Sequence, residues 1–156
     1  SQAPHISWAL GYQHKADDYE TVERVRSFIC MLNEESANGS VIVVEGRRDA
    51  EALCRVGFTG NLAVFHHFKG IANFVDNHDC MGKKIILLLD MDRTGKYLTS
   101  RLVSQLQSSR HSVNLSYKRA LARITNGKVR HVEDLVIYAP HMSGITGSRK
   151  DLYFYT

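Results

Sequence analysis

The chain has 156 residues, of which 44% are hydrophobic and 23% charged, the composition of a globular domain that can bury one core. No stretch reaches the roughly 18 consecutive apolar residues of a membrane span, and residues 1–5 lack the basic and apolar regions of a secretory signal. We therefore expect a cytoplasmic protein without a membrane partner. The formal net charge of +4 is compatible with a polyanionic partner, since Lys and Arg can replace counterions along a phosphate backbone.

The chain begins with a predicted arm followed by a long amphipathic helix. Residues 1–18 show no clear periodicity and are interpreted as an N-terminal arm. A helix is predicted over residues 19–35, because Asp17 or Asp18 can cap it and apolar side chains recur through it at helical spacing. Those apolar residues are Val22, Val25, Ile29 and Leu32.

A strand, a helix and a second strand are predicted next. Residues 41–44 form a short β-branched run, typical of a strand that is buried on both faces, and this run ends at Glu45. Asp49 is predicted to cap the following helix, and Gly57 to end it. The second strand is predicted over residues 62–68.

The middle of the chain repeats this pattern. After a short helix predicted over residues 71–78, the run 85–89 is fully apolar and again ends in acid, at Asp90 and Asp92. The next helix is predicted from Thr94 or Gly95 to residue 108, because Leu98, Leu102 and Leu106 recur every four residues.

The remaining predicted elements are a strand over 113–117 and helices over 118–124 and around 132–137. Strands that alternate with helices and are apolar on both faces predict an α/β protein, with a central parallel sheet of about four strands and helices on both faces. We interpret residues 19–138 as one domain and residues 139–156 as a C-terminal tail.

Acidic side chains follow two of the predicted strands. In parallel sheets, ligands bind beyond the carboxyl ends of the strands, and Glu45, Asp90 and Asp92 all fall there. If the two strands are neighbours, the three carboxylates converge, and their repulsion favours a bound divalent cation. Oxygen ligands are typical of Mg²⁺ or Mn²⁺ sites. The sequence therefore predicts a magnesium site formed by Glu45, Asp90 and Asp92.

Glycines and basic residues surround the same predicted loops. Gly46 and Gly95 would let the backbone approach a phosphate just before a helix N-terminus, which favours anions. Four basic residues are candidates for contact with phosphate or nucleic acid: Arg47, Arg48, Arg93 and Lys96. A metal flanked by cationic side chains is typical of a phosphodiester site.

Simpler structural roles compete with these interpretations. An acid after an apolar strand is often only a helix cap, and Asp49 fits that role by itself. Arg47 and Arg48 fit as solvated surface residues. His66 and His67 are adjacent, and neighbours on a strand point to opposite faces, which argues against a shared zinc ion.

Two segments resemble the motifs of the Toprim family. Residues 43–50, VVEGRRDA, resemble its first motif, and residues 88–95, LLDMDRTG, resemble its Asp-x-Asp motif. The resemblance extends over residues 20–138, and the later segments 115–121 and 132–135 are similar to small stand-alone archaeal Toprim proteins, sometimes called primase-like. It implies a compact, Rossmann-like Toprim fold.

The resemblance also implies a chemistry. Asp90 and Asp92 would hold magnesium, and Glu45 would act as the general acid or base or as a further ligand. The family includes primases, topoisomerases and nucleases, and it implies a nucleic-acid partner. Size and domain content favour magnesium-dependent hydrolysis of RNA or DNA. Primase-like nucleotidyl transfer and a non-catalytic nucleic-acid-binding module stay open as alternatives.

A third alternative is a phosphatase. Residues 89–94 also resemble the haloacid-dehalogenase motif, in which the first aspartate, here Asp90, is a covalent nucleophile. That interpretation does not explain Glu45. It also needs a downstream acidic pair after a strand, whereas Glu133 and Asp134 lie in a predicted helix.

Overall fold

The computed structural model describes residues 7–77, 83–144 and 153–155, and within them the side chains of 19–77 and 83–144. The strands are β1 (Val41–Val44), β2 (Asn61–Val64), β3 (Lys84–Leu88), β4 (Ser112–Asn114) and β5 (Tyr153–Tyr155). The α-helices are α1 (Ser7–Ala37), α2 (Arg47–Arg55), α3 (Ile71–Val75), α4 (Arg93–Ser108) and α5 (Ser116–Ile124). Two segments are 3-10 helical, namely Phe65–His67 and Val132–His141.

All strand pairs in the described sheet are parallel, and the strand order is β4-β3-β1-β2-β5. β1 lies between β2 and β3, with Val44 in register with Leu88 of β3 and Val64 of β2. The predicted α/β architecture is confirmed. β5 comes from the predicted tail and adds a fifth strand to the four that the sequence indicated.

Both faces of the sheet are buried, which explains why its strands are apolar throughout. Ile42 and Val44 point into a cluster that includes residues of α1, α2 and α5. Val41 and Val43 point into a second cluster with α3 and α4 on the opposite face. The side chains of β1 are at most 1% exposed, so this central strand fixes where Glu45 emerges from the sheet.

The first helix begins earlier than the sequence indicated. Its helical backbone starts at Ser7, not at Asp17 or Asp18, so residues 7–18 of the predicted arm are helical. The prediction required an amphipathic period, but backbone hydrogen bonds extend a helix without one where no proline intervenes. The division of the chain into arm, domain and tail stays a prediction.

Two strands are shorter than predicted, each for a local reason. β2 ends at Val64 because Phe65–His67 turn into a 3-10 helix, where the His66 N–H donates to the Glu45 carbonyl at 3.0 Å. β4 ends at Asn114, whose side-chain oxygen accepts from the Ser116 N–H at 2.6 Å. That turn starts α5 at Ser116, two residues before its predicted start.

Other boundaries differ less. α3 ends at Val75, whereas the predicted helix ran to His78, which lies outside the described residues. The segment predicted as a helix around 132–137 is 3-10 helical and extends to His141. Among the described residues, no helix has the length and apolar content needed to cross a membrane.

Candidate metal centre

Glu45 and Asp90 share a cleft at the carboxyl edge of the sheet. They emerge from neighbouring strands, β1 and β3, and they line a cavity of about 280 Å³. We call this cavity the acidic cleft, and its other lining residues are Gly46, Arg47, Arg48, Asp49, His66 and Glu133. Of the three carboxylates predicted to form one site, Glu45 and Asp90 line this cleft and Asp92 does not.

Asp90, Asp92 and His131 form a group that can hold a metal ion. One ligand atom of each lies within 4.8 Å of the other two. His131 Nε2 lies 3.0 Å from Asp92 Oδ2, and its Nδ1 lies 3.6 Å from Asp134 Oδ2. An imidazole from a distant part of the chain thus bonds Asp92 and lies within 4.8 Å of a carboxylate oxygen of Asp90.

A short strap, residues 130–133, crosses the ends of the two motifs and holds them by backbone hydrogen bonds. The Met91 N–H donates to the Arg130 carbonyl at 2.7 Å. In the opposite direction, the Val132 N–H donates to Asp90 Oδ1 at 2.9 Å, and the Glu133 N–H donates to Asp49 Oδ1 at 3.0 Å. Asp90 therefore keeps only part of its oxygen lone-pair capacity for a ligand.

Asp92 and Asp49 have structural roles that differ from those expected. Asp92 is the N-cap of α4, and its Oδ1 accepts from the Gly95 N–H at 2.7 Å, which leaves Oδ2 for His131. Asp49 is not the N-cap of α2, because Gly46 occupies that position. Instead Asp49 Oδ2 reaches back to accept from the Gly46 N–H at 3.0 Å, so Asp49 ties the helix start to the strap.

Burial and mutual repulsion raise the pKa values of the carboxyls in the acidic cleft. Desolvation and then the charge of Asp90 raise the pKa of Glu45. The same two causes raise the pKa of Asp49 to about 6. Desolvation is also the main reason that the pKa of Asp90 is raised. Each of these groups is stabilised by a proton or by a cation close by.

Asp92 and His131, the two members of the group nearest the solvent, have pKa values that are shifted towards their charged forms. The hydrogen bond from the Gly95 N–H, followed by that from His131, lowers the pKa of Asp92. Desolvation opposes protonation of His131, but the bond to Asp92 and the charges of Asp90 and Asp134 outweigh it and raise the pKa of the imidazole. Protonation of His131 is therefore favoured by the aspartates that it lies beside.

The donor set fits a hard divalent cation. Glu45 Oε1 is buried and has no hydrogen-bond partner among the described residues, while Oε2 lies 3.9 Å from His66 Nε2. A buried carboxylate oxygen without a donor is costly unless a cation or a ligand satisfies it. Carboxylate oxygens suit Mg²⁺ and Mn²⁺, and an added imidazole is a better ligand for Mn²⁺ than for Mg²⁺.

The two glycines of the motifs differ in their surroundings. A Cβ on Gly95 would lie 2.1 Å from the Asp90 carbonyl oxygen, so the absence of a side chain lets α4 pack against the end of β3. This close approach is to the protein's own backbone rather than to the phosphate that the sequence suggested. A Cβ on Gly46 would lie 3.3 Å from His66 Nδ1, so only Gly95 is sterically required by the protein itself.

The four predicted phosphate-binding cations are divided among three places. Arg47 and Arg48 are exposed and line the acidic cleft, and Arg47 Nε also lies 3.5 Å from Glu51 Oε2. Arg93 is exposed at the start of α4. Lys96 lines a separate pocket with Met91.

His131 is the site residue that sequence reasoning missed. It lies 39 residues after Asp92, and it follows no predicted strand, so neither spacing nor periodicity pointed to it. The only local signal in the sequence is the acid Asp134, three residues later. That signal indicates a site only because the strap crosses the sheet edge, which the sequence does not show.

Fold and site together define a class of protein. It is a parallel α/β domain that collects carboxylates from two adjacent strand ends beside helix N-termini. The Toprim domain family matches residues 40–129, which include Glu45, Asp90 and Asp92. The chain therefore belongs to the Toprim family, and His131 lies two residues beyond the matched range.

Archaeal relatives and one solved structure are similar to the chain. A UPF0292 protein of Methanosarcina barkeri is 31% identical over 132 residues, which are 83% of this chain and 92% of that protein. A UPF0292 protein of Archaeoglobus fulgidus is 29% identical over 73% of this chain and 88% of that protein. A solved structure of an Aquifex aeolicus protein has a TM-score of 0.59 at 27% identity, covering 69% of this chain and 94% of that one. The predicted resemblance to small archaeal Toprim proteins is confirmed.

Proposed function

We propose that this protein hydrolyses phosphodiester bonds of RNA or DNA in a reaction that requires Mg²⁺, with Mn²⁺ able to substitute. The observation that carries the proposal is the buried, unpartnered Glu45 Oε1 in the cleft that also contains Asp90. A structural carboxylate at a strand end would be exposed or hydrogen-bonded on both oxygens. Glu45 is neither, which is expected of a group that meets a ligand.

The residues divide into three roles. Asp90 and Asp92, together with His131, would hold the cation. When bound, a divalent cation supplies Lewis-acid stabilisation of charge on phosphate oxygens and lowers the pKa of a coordinated water. Arg47 and Arg48 line the cleft beside Glu45 and are placed to bind phosphate oxygens of the substrate.

Glu45 is the general acid or base of the proposed reaction. Its raised pKa moves it towards the range in which a carboxyl can both accept and return a proton near neutral pH. Its Oε1 accepts no hydrogen bond among the described residues, and its side chain, 15% exposed, lines the acidic cleft, so the carboxyl keeps an unused acceptor beside the space that a substrate would occupy.

The test compares cleavage by the wild-type protein with cleavage by two isosteric variants. Labelled single- and double-stranded RNA and DNA are incubated with Mg²⁺, with Mn²⁺ or with chelator. Asp90→Asn keeps an oxygen to accept from the Val132 N–H, and Glu45→Gln keeps the side-chain shape. We expect cleavage only with a cation, and a loss of at least about 100-fold in each variant.

A matched control separates this result from contamination and from unfolding. Glu20 lies on α1 with a side chain that is 75% exposed, and Glu20→Gln should retain wild-type cleavage. Activity that survives both site substitutions, or no cleavage of any substrate with either cation, overturns the proposal. In the second case, incorporation of nucleotides would support the nucleotidyltransferase, binding alone the non-catalytic module, and capture of beryllium trifluoride at Asp90 the phosphatase.

A further inference from the structure

A second cavity lies beside the acidic cleft, and its charged lining has the opposite sign. Its volume is about 400 Å³, and we call it the basic pocket. Its cationic lining residues are Lys96, Lys118, Arg119 and Arg130, and the rest of its wall is Met91, Ala122, Gly127 and Val129. The cations come from α4, from α5 and from the strap, so the fold assembles this pocket from three separate segments.

None of the four cations of the basic pocket forms an ion pair with a carboxylate of the described residues. No carboxylate lines the pocket, and within residues 19–77 and 83–144 none of its four cations has a carboxylate within 4.0 Å. Basic residues elsewhere on the surface, Arg24 and Arg26, do pair with nearby glutamates. The pocket therefore concentrates positive charge without an ion pair, and its nearest electrostatic counterpart is the metal group, because the charge of Arg130 lowers the pKa of Asp92.

This concentration has a measurable electrostatic cost. Lys118 is half-buried, and its pKa is lowered first by desolvation and then by the charges of Lys96 and Arg119. Cations held together against their repulsion are stabilised by an anion that enters between them. Moving any one of these cations outward into solvent would reduce the repulsion among them. Their convergence is therefore expected of a binding site.

The basic pocket and the metal group share one stretch of backbone. Asp90 and Asp92 belong to the metal group, while Met91 between them lines the basic pocket. The Met91 N–H is bonded to the carbonyl of Arg130, the residue that precedes His131. A ligand in the basic pocket therefore lies directly beside the reacting centre of the proposed nuclease.

We propose that the basic pocket binds the terminal phosphate of a phosphorylated nucleotide, as found at the end of a nucleic-acid strand. An internal phosphodiester has one negative charge, whereas a terminal phosphomonoester carries about 1.5 to 2 at neutral pH, which matches a cluster of four cations more closely. The volume of about 400 Å³ is in the range of pockets that enclose a single small ligand. The apolar wall gives the sugar or base a surface to pack against.

This assignment rests on the proposed function. If the protein is a nuclease, the basic pocket makes strands with phosphorylated ends its preferred substrate. Free nucleoside triphosphates share the terminal phosphate chemistry. They are the second source that the experiment separates.

The test is an equilibrium binding assay with chelator present. Fluorescently labelled 12-nucleotide RNA and DNA strands with a 5′-phosphate, a 3′-phosphate or only hydroxyl ends are titrated with protein, and anisotropy is measured. We expect one phosphorylated end to bind at least about 10-fold more tightly than the hydroxyl strand, because its additional charge makes charge-assisted contacts with the cations of the basic pocket. ATP that competes more strongly than the phosphorylated strand would identify free nucleotides as the occupant.

The variants decide whether the basic pocket causes the preference. In the double variant Lys118→Gln and Arg119→Gln, the ratio of affinities between phosphorylated and hydroxyl strands should fall to about 1. Arg123→Gln is the matched control, because Arg123 lies on the same helix but lines the groove beside α1, and its ratio should stay at the wild-type value. Equal binding of phosphorylated and hydroxyl strands by the wild-type protein, or a preference that persists in the double variant, overturns the assignment.

The two proposals fail separately. Asp90→Asn should keep the end preference with chelator present, even though cleavage is lost. Cleavage without an end preference would leave the nuclease proposal standing and overturn the assignment of the pocket. An end preference without cleavage would do the reverse.

Discussion

The acidic cleft and the basic pocket lie on two sides of the same loop, yet one brings carboxyls together and the other brings cations together. The cleft collects buried carboxyls whose pKa values are raised. The pocket collects cations, and the pKa of its half-buried lysine is lowered. The two sets have opposite charges. Among the described residues, no ion pair joins a carboxylate of the cleft to a cation of the pocket across the Met91 loop.

Each region would be stabilised by a ligand of the opposite charge. A cation would offset the repulsion among the carboxyls of the cleft, and a phosphate would offset the repulsion among the cations of the pocket. The following predictions test how different the two regions are.

The largest expected effect is steric and falls on the acidic side. In Gly95→Ala the new Cβ would meet the Asp90 carbonyl oxygen at 2.1 Å, and both belong to rigid backbone, so α4 must shift away from β3. We expect the free energy of unfolding to fall by about 3 kcal/mol, measured by urea denaturation with chelator present. A loss below about 1 kcal/mol would show that the loop is looser than the structure indicates.

The second prediction concerns pH. Native Asp49 keeps its proton up to about pH 6, whereas its ordinary pKa is 3.8. Between these values the native state holds more protons than the unfolded state, so its stability falls as the pH rises through this window. Asp49→Asn lacks this titration, and metal-free denaturation should show its stability rising relative to wild type by about 2 kcal/mol from pH 4 to pH 7. Parallel curves for the two proteins would contradict the raised pKa.

The third prediction separates a ligand from a positioning residue. His131→Asn should weaken Mn²⁺ binding by about 10-fold or more, measured by calorimetry, because one of three donors is replaced. His111→Asn, in the turn after α4, should leave the affinity unchanged. An unchanged affinity in His131→Asn would mean that His131 only orients Asp92, and the contrast between the two regions would then rest on carboxylates alone.

The smallest effect is expected on the basic side. Gly127 lines the basic pocket with a φ of +77°, and a Cβ there would meet nothing within 4 Å. Gly127→Ala should therefore cost only backbone strain, about 1 kcal/mol. Gly127→Asn should cost less, because Asn tolerates this conformation. A cost as large as that of Gly95→Ala would show that the two glycines act in the same way.

The parts of the site that could be predicted from the sequence lie at the ends of individual strands. β1 and β3 are apolar on both faces because helices cover both, so their buried character and the acids at their ends were visible in one dimension. The order of the strands was not predicted. The adjacency of the two acid-ended strands was only a condition for the predicted site, and the pairing of β1 with β3 meets that condition.

The parts that the sequence concealed are those assembled by tertiary packing. His131 and Arg130 reach the site on the strap, and Lys118 and Arg119 reach the basic pocket through the packing of α5. Arg130 and His131 follow no predicted strand. Lys118 and Arg119 lie in the segment 115–121 that resembles archaeal Toprim proteins, but that resemblance did not place them in a pocket with Lys96. Helical backbone in residues 7–18 was missed because it lacks the amphipathic period on which the prediction relied. The strand β5 was missed because its three residues, Tyr153–Tyr155, are too few to show a period.

The strap also has a consequence for how the protein would respond to its ligands. One peptide hydrogen bond, from the Met91 N–H to the Arg130 carbonyl at 2.7 Å, fastens the loop between two aspartates to the residue before His131. A cation that drew those three side chains together would therefore also move the wall of the neighbouring pocket. Any change that it made to phosphate affinity would be matched, by thermodynamic linkage, by an equal change that phosphate makes to cation affinity.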